Sequence, residues 1–208
     1  MRGPLFISLE GIDGSGKSTQ ARLLAQALRA AGLPVTLTRE PGGSPGAEAI
    51  RALLLTGDTG RWSPETEILL FFAARRDHLE RVIRPALDSG QVVVCDRFTD
   101  STRMYQGATR GDLRDKVDRL HELMIGVEPD LTLIIDMDPG QALARGLARE
   151  GAEQRFEDMG LGFQEKVRAG YLALARAEPG RCVVIDGAGA EAAVAADIAR
   201  AALARLAR

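Results

Sequence analysis

An α/β fold built on a five-stranded parallel sheet, with helices on both faces and a short lid, is predicted from three observations. Short apolar runs rich in β-branched residues recur at 5–9, 34–38, 91–95, 131–136 and 182–186. Stretches of helical periodicity lie between them, and strands that alternate with helices form a parallel sheet covered on both faces. Directly behind the first run stands Gly11-Ile12-Asp13-Gly14-Ser15-Gly16-Lys17-Ser18, which matches G-x-x-x-x-G-K-[ST]. Strand, glycine loop and helix are the setting this phosphate-binding loop requires.

The elements follow in order. Leu5-Phe-Ile-Ser-Leu9 reads as a buried strand. Ala21, Leu23, Leu24, Ala27, Leu28 and Ala31 repeat at helical spacing after the glycine loop. Gly32-Leu-Pro34 and Asp88-Ser-Gly90 are helix stops just before strands. Glu65 to Leu87 reads as one long helix with Ser63 as N-cap and Pro64 in the first turn, and Pro85 predicts an early break at its end. Residues 190–208 form an Ala-rich closing helix. Arg149-Glu-Gly-Ala-Glu-Gln-Arg155 is a polar interruption rich in arginine and glycine, the composition expected of a mobile lid over phosphates at about 146–157. With no internal repeat and no linker, residues 1–208 are expected to form a single domain.

Composition excludes several classes. A net charge of −2 supplies no global basic field for nucleic acid. No apolar run approaches membrane-span length, and the first strand begins where a signal peptide would stand, so a cytoplasmic protein without membrane or nucleic-acid partners is expected. Cys95 and Cys182 sit in or beside β-branched runs and read as reduced core residues. With two histidines, zinc-ligand spacing is absent.

The chemistry starts from the backbone. Glycines let successive amide N–H groups turn inward around phosphate oxygens, and the helix N-terminus adds partial positive charge. Gly11, Ile12, Asp13, Gly14, Ser15, Gly16, Lys17, Ser18 and Thr19 thus form the expected cradle for the phosphates of a nucleoside triphosphate, which leaves kinase, GTPase, ATPase and transferase open. Lys17 can reach the β- and γ-phosphates and the Ser18 hydroxyl can take a Mg2+ position. Val92-Val-Val-Cys-Asp96-Arg97 is a strand ending in an acid and a base, and ligands of parallel sheets bind beyond the strand carboxyl ends. Asp96 is expected to hold Mg2+, directly or through water, or to orient Lys17. Arg97 is expected to grip an acceptor phosphate, which guanidinium matches bidentately. Asp13 is an odd negative charge beside a polyphosphate, where a turn-forming role is the ordinary alternative. Phe71 and Arg75 are four apart on one helix face, although a helical phenylalanine is more often core. Arg39-Glu-Pro-Gly-Gly43 makes a tight turn after the second strand. No Asn-Lys-x-Asp guanine-reading segment is present, and a small domain with a late arginine-rich lid suits a P-loop nucleoside monophosphate kinase fold.

Taken together, Glu10-Gly-Ile-Asp-Gly-Ser-Gly-Lys-Ser-Thr19, Thr38-Arg-Glu-Pro-Gly-Gly43, Leu70-Phe-Phe-Ala-Ala-Arg75, Asp96-Arg97, Ser101-Thr-Arg-Met-Tyr-Gln-Gly107 and Pro129-Asp-Leu131 appear in one order. In these segments the chain resembles the thymidylate (dTMP) kinase family over essentially its whole length, in its bacterial type with lid arginines. The resemblance implies transfer of a phosphoryl group from ATP–Mg2+ to dTMP, giving dTDP for dTTP synthesis, by a homodimer. It implies that Asp13 meets the acceptor 3′-hydroxyl and helps with Mg2+, that Phe71 stacks on the base, and that Arg75 contacts base or phosphate, with Phe72 and Arg76 as neighbours open to confusion with them. Ser101, Thr102, Tyr105 and Gln106 would surround thymine and deoxyribose, Thr102 at the base edge and Tyr105 crowding a 2′-hydroxyl. Arg39 would line the acceptor pocket as a phosphate or structural partner. Some family members carry the transition-state arginine in the P-loop, at the position of Gly14 here. Glycine supplies no charge, so the lid must, with Arg149 first, Arg155 second, and Arg145 packing on adenine. Alternatives are a kinase for UMP, dUMP or AMP, a deoxynucleoside kinase, or a nucleotide-dependent binding module.

Overall fold

The computed structural model describes residues 4–58, 60–108, 111–147 and 159–207. The predicted strands are present as β1 (Leu5–Glu10), β2 (Val35–Arg39), β3 (Val92–Asp96), β4 (Leu131–Asp136) and β5 (Cys182–Asp186). They pair in parallel in the order β2-β3-β1-β4-β5. Between β1 and β2 runs α1 (Lys17–Ala30). Between β2 and β3 lie α2 (Pro45–Leu55), α3 (Pro64–His78) and α4 (Arg84–Asp88); between β3 and β4, α5 (Thr99–Thr102) and α6 (Arg114–Met124); between β4 and β5, α7 (Pro139–Leu147) and α8 (Leu161–Ala177). The last element is α9 (Glu191–Leu206).

Strand alternation divides the core. Leu5, Ile7 and Leu9 turn to one face and pack with Leu24 and Leu28 of α1 and Ile198 of α9. Phe6 turns to the other, against Phe72, Leu79, Cys95 and Phe98. A third cluster joins Ile12 and Ile134 to Val167 and Tyr171 of α8. The central strands are buried on both faces and therefore read as unbroken apolar runs. Both cysteines are free and buried, as expected of reduced core residues.

The long helix differs from its prediction in an informative way. Ser63 caps α3 as expected, its hydroxyl accepting the Thr66 N–H at 3.2 Å. Pro85 does not break the helix. A π-helical segment, Leu79–Ile83, stands between α3 and α4. Proline lacks an N–H and its ring collides with the carbonyl four residues back, and one wider turn takes up both without ending the helix. A second π-helical segment, Arg103–Ala108, continues α5. Among the described residues no helix is long and apolar enough to cross a membrane. The predicted lid lies largely outside the described residues, as do Arg149 and Arg155.

Candidate active site

The glycine loop leaves the carboxyl end of β1, the middle strand of the sheet, and α1 begins at Lys17. Lys17 folds back over the loop, its Nζ donating to the Ile12 carbonyl at 2.6 Å. Burial, reinforced by the Arg97 charge, pulls the Lys17 pKa down to about 8. Ser18 donates its hydroxyl to Asp96 Oδ2 at 2.5 Å. Parallel pairing sets Asp96 opposite Leu9 of β1, which is what brings the β3 acid to the loop. Asp96 Oδ1 is buried and has no hydrogen-bond partner among the described residues. A serine hydroxyl beside a carboxylate with a spare oxygen is a hard donor pair that fits Mg2+, an ion that takes few protein ligands and fills its shell with water and phosphate.

Beside the loop lies a cavity of about 250 Å³ whose wall includes Asp13, Lys17, Ser18 and Asp96 on one side and Arg39, Phe71, Thr102 and Gln106 on the other. Arg97 stands between these sides. Its backbone is left-handed, with φ 72°, which turns the guanidinium inward to pair with Asp13. It also donates to Ser101 Oγ at 2.9 Å and lies 4.9 Å from the Tyr105 ring centre. Asp13 accepts further bonds from the Tyr105 hydroxyl at 2.9 Å and from Gln164 Nε2 at 3.3 Å. Burial alone would raise the Asp13 pKa, but Arg97 and Lys17 outweigh it and hold the carboxyl below its ordinary value. Arg75 is buried. It donates Nε to Glu40 at 2.7 Å and Nη2 to Thr102 Oγ1 at 3.0 Å, while its Nη1 has no partner among the described residues. Glu40 is itself held by His78 Nδ1 at 3.0 Å. Arg39 pairs with Glu48 of α2 at 2.9 Å on the exposed rim. A second cavity is lined by Gly16, Thr19, Arg145, Gly187 and Gly189.

A family model described as thymidylate kinase matches residues 9–198. The chain is 70% identical over 193 residues to a thymidylate kinase of Dinoroseobacter shibae, covering 93% of each. It is 65% identical over 204 residues to one of Ruegeria pomeroyi, covering 98% of this chain and 97% of that one. The chain belongs to the thymidylate kinase family. A crystal structure of thymidylate kinase from Ehrlichia chaffeensis shares the fold with a TM-score of 0.79 at 36% identity, covering 96% of this chain and 99% of that chain. The protein is a dTMP kinase, phosphorylating dTMP to dTDP in dTTP synthesis with ATP as donor.

In this thymidylate kinase family member several side chains of the site escaped sequence reading. Glu67, Phe71, Arg75 and His78 follow one another at i, i+4, i+8 and i+11 and form a single stripe of α3. That spacing was the available signal for Glu67 and His78. The same geometry separates the paired candidates: Phe72 belongs to the core between α3 and the sheet, whereas Phe71 lines the cavity. Arg76 bonds Glu80 and the Met124 carbonyl instead of the site. Phe72→Ala is therefore expected to lower stability by about 3–5 kcal/mol. Phe71→Ala should leave the melting temperature within a few degrees and raise KM for dTMP about tenfold. Thermal melting beside steady-state kinetics checks the pair.

Glu10, the last residue of β1, is fully buried beneath the site. It accepts the Phe98 N–H at 2.7 Å, the Ser101 hydroxyl at 2.7 Å and the Tyr171 hydroxyl at 2.8 Å, tying β1 to α5 and α8. Burial, then the nearby Asp100 charge, raises its pKa from 4.5 to about 7. The folded protein thus holds a proton that the unfolded chain has lost between these values. Its stability from this group is complete below pH 4.5 and is lost as pH rises through 7, by about 3 kcal/mol. Glu10→Gln removes that slope. Melting curves at pH 5 and pH 7.5 should show the wild type losing more stability across the interval than the variant, and equal losses would refute the assignment.

Proposed function

We propose that ATP lies along the glycine loop while dTMP fills the 250 Å³ cavity, so that the acceptor phosphate meets Arg97 and the γ-phosphoryl group meets Lys17. The observation that carries this reading is that Lys17 and Ser18 line the same cavity as Phe71 and Gln106. Ser18 and Asp96 would hold Mg2+, which when bound supplies charge neutralisation between the β- and γ-phosphates. The acceptor phosphate is largely ionised near neutral pH, so no strong base is needed and the residues act by position and charge. Arg97 exchanges its Asp13 partner for the phosphate, Phe71 stacks on the base, and Arg75 Nη1 and Gln106 Oε1, both buried and unpartnered among the described residues, meet the base edge. Thr102 acts on the base through Arg75, which takes its hydroxyl. Ser101 orients Arg97. Asp13 and Tyr105 flank the sugar, where the Tyr105 ring crowds a 2′-hydroxyl. Arg149, with Arg155 second, brings charge to the γ-phosphoryl group, and Arg145 borders adenine.

The enzyme is further proposed to be a cytoplasmic homodimer. Ile68 and Leu79, part of the apolar face of the long helix, are core residues. Leu69 of α3 and Leu123 of α6, 59% and 77% exposed, are apolar side chains available to a second copy, with Met124 of α6 beside Leu123 in sequence. Sedimentation equilibrium of the wild type and of Leu69→Glu/Leu123→Glu tests this, and a wild-type monomer would end it.

The deciding experiment offers ATP, Mg2+ and a panel of dTMP, dUMP, UMP, dCMP, AMP and GMP, with products separated by chromatography. dTDP should form by far the fastest, and dUMP should exceed UMP. A different preferred acceptor would overturn the base-side assignments. ADP released equally with and without acceptor would overturn the coupling of transfer to dTMP.

A further inference from the structure

Glu67 and Gln106 are both fully buried, one on α3 and the other on the π-helical segment after α5. Gln106 Nε2 donates to Glu67 Oε2 at 3.3 Å. The other end of the same amide, Oε1, is buried with no partner among the described residues, and Gln106 lines the cavity that Phe71 also borders. An amide has a donor end and an acceptor end, and a carboxylate oxygen accepts only. A glutamate at one side therefore decides which end faces the other side.

We infer that Glu67 is a specificity-determining positioning residue: by taking the amide N–H of Gln106, it presents the carbonyl oxygen to the base and so selects bases that carry a hydrogen at N3. The inference rests on the acceptor reading of this cavity given above. Thymine and uracil donate from N3, and the Gln106 carbonyl accepts. Cytosine has a lone pair at N3, which would meet that carbonyl acceptor to acceptor, leaving two buried polar atoms unsatisfied. Arg75 reinforces the choice, because its unpartnered Nη1 donates to a base carbonyl and repels an exocyclic amine. Glu67 touches no substrate atom in this account. Its effect passes through the orientation of Gln106.

Glu67→Gln isolates the effect, because glutamine can donate as well as accept and so permits both orientations of Gln106. In the full-length enzyme, kcat/KM is measured for dTMP, dUMP and dCMP. The ratio of dCMP to dTMP should rise about tenfold in Glu67→Gln, mainly through KM, with dUMP following dTMP. An unchanged ratio, or equal losses on dTMP and dCMP, would show a merely structural role and overturn the inference. A wild type that uses dCMP as readily as dTMP would instead remove the base-reading site itself. If Glu67→Gln does not fold by circular dichroism, the wild type carries the test: N3-methyl-dTMP, which lacks the hydrogen, should compete at least tenfold more weakly than dTMP, and equal competition overturns the inference.

Discussion

Lys17→Met is expected to lower kcat/KM for ATP on the order of 10³-fold while leaving the protein as stable as the wild type or more so. The two halves have one cause. Lys17 is 6% exposed, and burial together with the Arg97 charge pulls its pKa from 10.5 to about 8. At neutral pH both folded and unfolded chains carry the charge, and the folded one bears the cost of keeping it desolvated, up to about 3 kcal/mol. As pH rises from 8 toward 10.5, the folded protein gives up the proton first, so stability from this group increases across that window. The advantage of Lys17→Met should thus be largest near pH 7 and vanish toward pH 10, which melting curves at both values would show. In the proposed complex the ATP phosphates would reverse the balance by supplying counter-charge to Lys17. The same titration predicts that kcat/KM for ATP in the wild type declines above pH 8. A variant that keeps a tenth of wild-type kcat/KM would remove Lys17 from the reaction.

How much of this was readable in advance depends on where each signal resides. The sheet was legible to within one residue at each strand because its central strands are buried on both faces and leave uninterrupted apolar runs. The glycine loop was legible because its function is written in backbone, hence in residue identity and spacing. The single acids were not. Glu10, Glu40 and Glu67 are each buried and held by partners 30 or more residues away, at Ser101, Arg75 and Gln106. Helical spacing marks the face on which Glu67 lies, but no local pattern names the distant partner of any of the three. Arg75 illustrates the consequence: its position on the Phe71 face was readable, but its burial, and the Glu40–His78 support behind it, come from the packing of α3 against β2 and β3. Pro85 shows the opposite case. Its local rule was correct, and a π-helical turn absorbed it.

Arg149→Ala is expected to lower kcat about 10³-fold with a small change in KM for ATP, and Gly14→Arg is expected not to restore it. Family members that hold this arginine in the P-loop place it at position 14, so the exchange looks simple on paper. The structure gives the obstacle. Gly14 has φ +79°, and a Cβ there would lie 1.9 Å from the Ala142 carbonyl oxygen and 2.6 Å from its carbon. These are backbone atoms of α7, and Ala142 is fully buried, so no side-chain rotation relieves the clash. Gly16 is the control: φ is +93°, but nothing lies within 4 Å of a Cβ. Gly16→Ala carries left-handed strain alone, about 1–2 kcal/mol. Gly14→Ala adds overpacking of about 1–3 kcal/mol, and a melting temperature lowered by about 5–15 °C follows for a chain of this size. An arginine at position 14 is thus excluded by backbone, which is why the proposed role falls to Arg149. Recovery of kcat in Gly14→Arg/Arg149→Ala, with a normal melting temperature, would show that α7 can withdraw and that the two arginine positions are interchangeable in this enzyme.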